Sequence, residues 1–362
     1  MPTWETEMLR RSARHWYRRV ELSSSSLSLS FKGAAIQWVN PERSKLVWDS
    51  ACYQVPDTAN WFVRPMQEDS AFVRMRTLDI DTHVTGVSAV RSGPNTIAVH
   101  VHREQQKGYD TEFYRRIEEL GSELVWEYCP VNNDRRIHAF AVRYVQDLME
   151  NRSVAVILSD QDNVVREKTV LGPYVPQAKR EFYSHHCLHD INRSRTTHLC
   201  VADPQPNDDR LWISARCESI QARQPMPENP VAWWDPKPPT TPKPEPCWGH
   251  LSLARVTVES YHDFQTCEIN RNGHLQCIGL LFRKVDGSRH VFGQWRDDKA
   301  QSERHMIPSD MVFCNSSSGI DRFVNVQRQA IDGRSCIPIR GELEWFYSAK
   351  TSRVRRTETL LI

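Results

Sequence analysis

Residues 276–296 read QCIGLLFRKVDGSRHVFGQWR. An apolar run from Cys277 to Phe282 leads to Asp286-Gly287, and a second run, Val291-Phe292, closes on Gly293-Gln294-Trp295. Asp-Gly between two strand-like runs is the strongest short-range hairpin signal, because both positions tolerate positive φ. Residues 153–175, SVAVILSDQDNVVREKTVLGPYV, follow the same plan, with a polar turn at Asp160–Asn163 and a close on Leu171-Gly172-Pro173-Tyr174. The common ending, apolar-Gly-x-aromatic, reads either as an internal duplication or as the ordinary likeness of any two hairpins.

Working outward from these hairpins, the period stays at two. Val73 and Met75 alternate with Arg74 and Arg76; Ile97, Val99 and Val101 with Ala98, His100 and His102; Leu211, Ile213, Ala215 and Cys217 with more polar neighbours. Further on, Val256 and Val258, then Leu275, Cys277, Gly279 and Leu281, then Leu343, Trp345 and Tyr347 show the same alternation. Such runs, separated by Gly, Pro, Asn and Asp, predict half-buried antiparallel strands. Two helices interrupt them. Residues 1–22 form an amphipathic helix with Trp4, Met8, Leu9, Trp16 and Val20 on one stripe. A short inserted helix is capped by Asp110, buries Phe113, Ile117 and Leu120, and ends at Gly121 as its C′ residue.

Pro225–Pro246 contains nine of the 21 prolines, which no sheet or helix survives, so it reads as an extended linker. The expected fold is therefore mostly β, with two antiparallel β-sandwich or prism-like domains at 31–224 and 248–350. The linker spans 225–247, and a loose basic tail, 351–362, carries Arg353, Arg355 and Arg356.

Composition narrows the function. In 362 residues, 47 Lys plus Arg face 45 Asp plus Glu, a formal charge of +2. That balance argues against nucleic-acid binding driven by bulk charge. The charged first twenty residues contain no apolar signal region, and the longest apolar runs fall far short of the roughly 20 residues of a membrane span. The ten cysteines contain no C-x-x-C pair and read as scattered reduced thiols, and the sequons at Asn151, Asn192 and Asn315 as chance matches. A soluble intracellular protein, cytoplasmic or nuclear, is expected, with no membrane partner.

Candidate chemistry is sparse. His185, His186, Cys187, His189, His198 and Cys200 supply ligand types that Zn²⁺ prefers, with His186, Cys187, His189 and Cys200 the best set of four. Their spacing fits no finger or ribbon, and Arg180, Arg193 and Arg195 oppose a cation, so the expectation is no cofactor. His100 and His102 read as a solvent-facing pair on one strand face. Asp79-Ile80-Asp81 is formally a D-x-D motif, but no nucleotide-binding βα pattern surrounds it. No G-x-S-x-G, P-loop or G-x-G-x-x-G occurs. The surplus of aromatics remains, and Trp233, Trp234, Trp295 and Tyr174 are the binding candidates. Flat aromatic faces serve protein hot spots and sugar rings alike. The expected function is non-catalytic binding of a protein partner, adaptor-like; a carbohydrate-binding, lectin-like role is the alternative, and an unrecognised enzyme the second alternative.

The order of several segments resembles fungal β-rich proteins of the F-box-associated type. The segments are His83-Val84-Thr85-Gly86-Val87, Ile97–His102, Arg136–Tyr144, Leu171–Tyr174, Cys277–Arg296 and Gly341-Glu342-Leu343-Glu344-Trp345-Phe346. The resemblance spans roughly residues 70–350 and implies a β-rich interaction region. The Leu-Pro-initiated helical bundle of the F-box itself is not seen. Gly172-Pro173-Tyr174 after a strand pair is similar, more weakly, to jacalin-like β-prism lectins, whose glycine-rich start and terminal G-x-x-x-D loop have no match here.

Overall fold

A computed structural model describes the segments 28–32, 35–40, 46–48 and 61–63. From residue 73 to 357 it describes everything except 105–106, 122, 133–136, 138, 147–150, 160–167, 176–181, 189–193, 205–210, 220–250, 272, 302, 319–320 and 329–335. The expected helix at 1–22, the linker at 225–247 with Trp233 and Trp234, and His189 lie outside the described residues.

The fold is mostly β, built, among the described residues, of several antiparallel sheets and one α-helix. Strands β1 (Ser28–Lys32) and β2 (Ala35–Asn40) pair with each other. Strands β3 (Leu46–Trp48), β4 (Trp61–Val63) and β5 (Val73–Asp79) belong to a sheet completed later in the chain. Strands β6 (Val84–Ser92), β7 (Asn95–Arg103) and β8 (Leu124–Pro130) form a sheet in the order β7-β6-β8, with helix α1 (Lys107–Glu118) between β7 and β8. Strands β9 (Ala139–Gln146), β10 (Asn151–Ser159), β11 (Lys168–Leu171) and β12 (Tyr183–Cys187) follow, ordered β11-β10-β9-β12. Strands β13 (Ser194–Ala202) and β14 (Trp212–Ser219) then complete the sheet β3-β5-β13-β14-β4, in which only the β3–β5 pair is parallel.

After residue 250 come β15 (Ser252–Thr257), β16 (Asp263–Arg271), β17 (His274–Arg283), β18 (Arg289–Gly293) and β19 (His305–Met306). They are followed by β20 (Val312–Ser318), β21 (Asp321–Gln327), β22 (Cys336–Pro338), β23 (Glu342–Tyr347) and β24 (Ser352–Arg356). One sheet runs β15-β23-β24; the other runs β19-β16-β17-β21-β20-β22, with β18 also paired to β17.

Both hairpins read from the sequence are present, as β10–β11 and β17–β18. Gly287 takes φ +83, the left-handed conformation that the Asp-Gly turn requires. Each hairpin then leaves its own sheet. The Tyr174 N–H donates to Leu251 O at 2.7 Å, and the Trp295 N–H donates to Trp126 O at 3.2 Å. The end of the earlier hairpin is thus tied beside β15, and the end of the later one onto β8. The receiving sheets also share a sequence phrase that the alternation alone did not single out: Glu123-Leu124-Val125-Trp126-Glu127-Tyr128 and Glu342-Leu343-Glu344-Trp345-Phe346-Tyr347. In both, the Leu, Trp and Tyr are buried.

Residues on either side of 220–250 share buried clusters. Val125 packs in one cluster with Phe264, Phe292 and Trp345, and Tyr128 in another with Ile278 and Trp295. A third cluster gathers Val99, Val101, Phe140, Val142, Leu199 and Ile213 from three sheets.

Several expectations are corrected. β7 is buried along almost its whole length, and Arg76 on β5 is buried beside Asp203 at 3.8 Å, so the strands are not simply half-buried. The reason is that α1 covers one face of the β6–β8 sheet while other strands cover the opposite face. His100 and His102 are accordingly not solvent-facing: they are 3% and 1% exposed, with His100 stacked on Phe113 at 4.3 Å. Helix α1 begins at Lys107, before Asp110, and Gly121 does not adopt positive φ; the helix closes instead with Leu120 N–H donating to Ile117 O. Residues 352–356 are not a loose tail but strand β24, paired with β23. Cys314 and Cys336 are not free thiols. They face each other across β20 and β22 with Cα atoms 4.3 Å apart, the spacing of a non-hydrogen-bonded antiparallel pair, and are joined by a disulfide. The Asn315 amide donates to Val354 O and accepts from Val354 N–H, so its nitrogen is committed to the sheet edge.

Two substitutions probe this architecture. A Cβ on Gly279 would lie 1.7 Å from Gln294 O, so Gly279→Ala must displace the segment that docks on β8. Its expected cost is more than about 2 kcal/mol in chemical denaturation. Cys336→Ala opens a closure of 22 residues, and on chain entropy it is expected to cost about 3 kcal/mol, read in the same denaturation series.

Candidate functional site

The end of β5 is the place where polar side chains and a cavity coincide. Ile80 N–H donates to Thr197 O at 2.7 Å, tying the chain beyond β5 to β13. Asp81 then closes a tight turn, its Oδ1 accepting from the His83 N–H at 2.9 Å. The register between β13 and β14 slips at Thr197, so that Thr196 and His198 are both paired while Thr197 bulges out. Bulges of this kind re-aim side chains at sheet rims. Across the other edge of β13, His198 stands directly opposite Asp79.

These segments enclose a pocket of about 360 Å³ lined by Asp79, Ile80, Asp81, Thr82, Ile137, Thr196, Thr197 and His198. Ile80 and Ile137 belong to the main apolar cluster and make its wall. Arg103, at the end of β7, backs the carboxylates: its Nη2 donates to Asp81 Oδ2 at 2.9 Å and to Asp79 O at 3.2 Å, and lies 3.5 Å from Asp79 Oδ2. Arg103 is 17% exposed, whereas Asp79 and Asp81 are 56% and 43% exposed, so the anionic groups lie outermost.

His198 Nε2 is 3.2 Å from Asp79 Oδ1, and its Nδ1 is 3.0 Å from Thr197 Oγ1. A hydroxyl, an imidazole and a carboxylate in a row have the look of a nucleophilic triad, and the hydroxyl also reaches a second acceptor. Thr197 Oγ1 donates to Arg216 O at 3.2 Å, and one hydroxyl has one proton. His198 Nδ1, 3.0 Å away, competes for that proton, and the tautomer of the imidazole decides which bond forms. Burial pushes the His198 pKa down; Asp79 pulls it back up, while Arg216 and Arg103 push it down further.

The residues singled out in the sequence fall in different places. Trp295 is 1% exposed, and its Nε1 donates to Asp297 Oδ1 at 2.7 Å; Tyr174 is 6% exposed and packs on Phe346 and Leu253. Both work as packing residues with no open ring face. His186 and Cys187 lie on β12 and Cys200 lies buried on β13, in different sheets. Among the described residues no group of three or more His, Cys, Asp or Glu gathers as for a metal ion. The pocket instead unites Asp79 and Asp81 of the D-x-D with His198, two features that the sequence offered separately. Arg103 carried no signal beyond its place after His102. No helix among the described residues is long and apolar enough to cross a membrane. No protein-family model matches the chain, and no curated protein is significantly similar to it.

The His198 environment sets a pH dependence. Its folded pKa is held below the ordinary value of 6.5, so the unfolded chain binds the proton more readily. The stability this neutral histidine confers is present above pH ~6.5 and is lost as pH falls through the folded value. Melting curves from pH 7.5 to 5 are expected to show wild type losing more stability than His198→Gln, whose side chain does not titrate.

Proposed function

We propose that this chain is a non-catalytic binding protein that engages a protein partner through the pocket at the end of β5. The observation that carries the reading is the preorganised rim: Arg103 holds Asp79 and Asp81 from behind, and Asp81 is further fixed by its own turn. Groups fixed in this way lose little freedom on binding, which is where affinity is gained. The adaptor-like role implied by the F-box-associated resemblance points in the same direction.

Carbohydrate binding is the second reading, favoured by the volume of about 360 Å³ and the threonine lining. It is weakened because no Trp, Tyr or Phe is among the described lining residues to offer a stacking face. The expected place of action, cytoplasm or nucleus, stands against the Cys314–Cys336 bridge, since reducing compartments disfavour such bonds.

Asp81→Lys reverses the charge of the rim at a partly exposed position. Proteins retained by the immobilised wild type are expected to be missing from the Asp81→Lys column at equal melting temperature, while a glycan array stays silent for both. Clear glycan hits that vanish in Asp81→Lys would replace the protein partner with a carbohydrate.

A further inference from the structure

We infer that the Cys314–Cys336 bond is a redox-operated clasp: a dithiol reductant opens it at Cys336, and strand β22 then comes away from the edge of its sheet while the strands behind it stay folded. This device is independent of the pocket at the end of β5.

The first observation is how little else holds β22. It is the outermost strand of its sheet and only three residues long, Cys336–Pro338. Its register sets Cys336 opposite Cys314, Ile337 opposite Phe313 and Pro338 opposite Val312. Hydrogen-bonded and non-hydrogen-bonded positions alternate in an antiparallel pair, and the Cα separation of 4.3 Å makes Cys314–Cys336 a non-hydrogen-bonded one. Of the three positions, Phe313–Ile337 is then the one that exchanges backbone hydrogen bonds. One more bond follows the strand, from Ile339 N–H to Met311 O at 3.1 Å. Pro338 has no N–H to add. All three residues of β22 are half-buried, whereas Phe313 and Cys314 are fully buried.

The second observation is the difference between the two sulfurs. Cys336 sits on the outer strand and is the more open residue, so an incoming thiolate meets Cys336 Sγ first and Cys314 becomes the leaving group. Gln327, on β21, donates from Nε2 to Cys314 Sγ at 3.0 Å. Neutral sulfur is a weak acceptor, but a thiolate receives a charge-assisted hydrogen bond. The donor therefore serves best the species that exists only once the bond opens, and a leaving thiolate stabilised in this way departs faster. The buried thiols of the same sheet do not compete. Burial pushes Cys267 up to about 12 and Cys277 well above the ordinary thiol value, so both stay protonated and unreactive.

The exchange balances in two steps. A thiolate of the reductant attacks Cys336 Sγ; the S–S bond breaks, and Cys314 Sγ leaves with the electron pair and takes up a proton. The reductant's second thiolate then attacks the reductant's own sulfur in the mixed disulfide, releasing Cys336 as a thiolate that is protonated in turn. Two electrons and two protons pass to the protein, and the reductant ends as a disulfide. Such a bond persists in an oxidising compartment and opens in a reducing one, so the surroundings set the state of β22.

The test follows hydrogen exchange of the full chain by mass spectrometry, with and without dithiothreitol. In the untreated protein, iodoacetamide added after denaturation should leave Cys314 and Cys336 unlabelled. After dithiothreitol both should label, and exchange in peptides covering 312–314 and 336–340 should quicken by about tenfold or more, as for a local opening released by loss of a cross-link. Residues 263–283, in β16 and β17, should keep their protection, and oxidised glutathione should restore slow exchange. With reduced glutathione, a monothiol, the trapped adduct should sit on Cys336. In Gln327→Leu, opening by dithiothreitol should slow about tenfold, the scale of one hydrogen bond to a charged group. Free thiols before reduction, unchanged exchange at 336–340 after it, or protection lost throughout 263–283 as well would each overturn the clasp. An adduct on Cys314, or an unaltered rate in Gln327→Leu, overturns the opening at Cys336.

Discussion

An edge strand inside a protein cannot leave its backbone groups without partners, and β8 is such an edge. Its Trp126 N–H donates to the Gln294 side-chain oxygen at 2.8 Å, its carbonyl accepts from Trp295 N–H, and Gln294 N–H donates to Ile278 O on β17 at 2.8 Å. One two-residue segment therefore closes the sheet β7-β6-β8 and binds it to the sheet containing β17. Gly279 allows this, because any Cβ there would occupy the position of Gln294 O. Arg296 extends the junction to the helix. Its guanidinium lies 4.8 Å from the Tyr114 ring and 4.5 Å from the Trp126 ring, and it bonds both oxygens of Asp298 as well as Glu118. Burial alone would lower its pKa; the two carboxylates outweigh that and raise it. Helix, sheet and loop meet on one charged, aromatic contact.

A second constraint lies deeper. Arg91 is 0% exposed and donates to Glu127 Oε1, to Ser252 Oγ and to Gly93 O, while the Ser252 hydroxyl donates to Glu127. Burial and the Glu127 charge together push the Tyr347 hydroxyl pKa up. Buried pairs of this kind contribute little net stability, yet removing one partner costs several kcal/mol because the other charge is stranded. The pair therefore fixes where β6 and β8 lie against β15 more than it strengthens the fold. With β6 and β7 so placed, Arg103 at the end of β7 reaches Asp79 and Asp81 on the neighbouring sheet, and the rim of the pocket exists.

The hairpins, the strand-rich character and the inserted helix were legible because each depends on neighbours in sequence. Asp286-Gly287 codes its own turn, and Phe113 and Ile117 sit one helical turn apart whatever surrounds them. The environment of His100 and His102 was not legible. Alternation places both on one face, but only α1 folding back over β7 decides that the face is interior. The Cys314–Cys336 bridge was hidden for a similar reason: its register depends on β22 pairing with β20 after β21 has intervened. Trp295 and Tyr174 stood out in the shared hairpin ending, apolar-Gly-x-aromatic, and in the surplus of aromatics, but whether their rings lay open or packed depended on the sheet each hairpin end meets.

The candidate site divides in the same way. Asp79 and Asp81 were visible as a motif and His198 as one member of a histidine- and cysteine-rich stretch, and nothing in their separation along the chain joined them. Residue order by itself determined alternation, turns and helix stripe, since these rest on backbone geometry over a few residues. Tertiary structure alone decided which faces lost water, which thiols met and which charges became neighbours, because those outcomes depend on strand register and sheet contact between segments separated along the chain, by 22 residues for Cys314–Cys336 and by 161 for Arg91–Ser252.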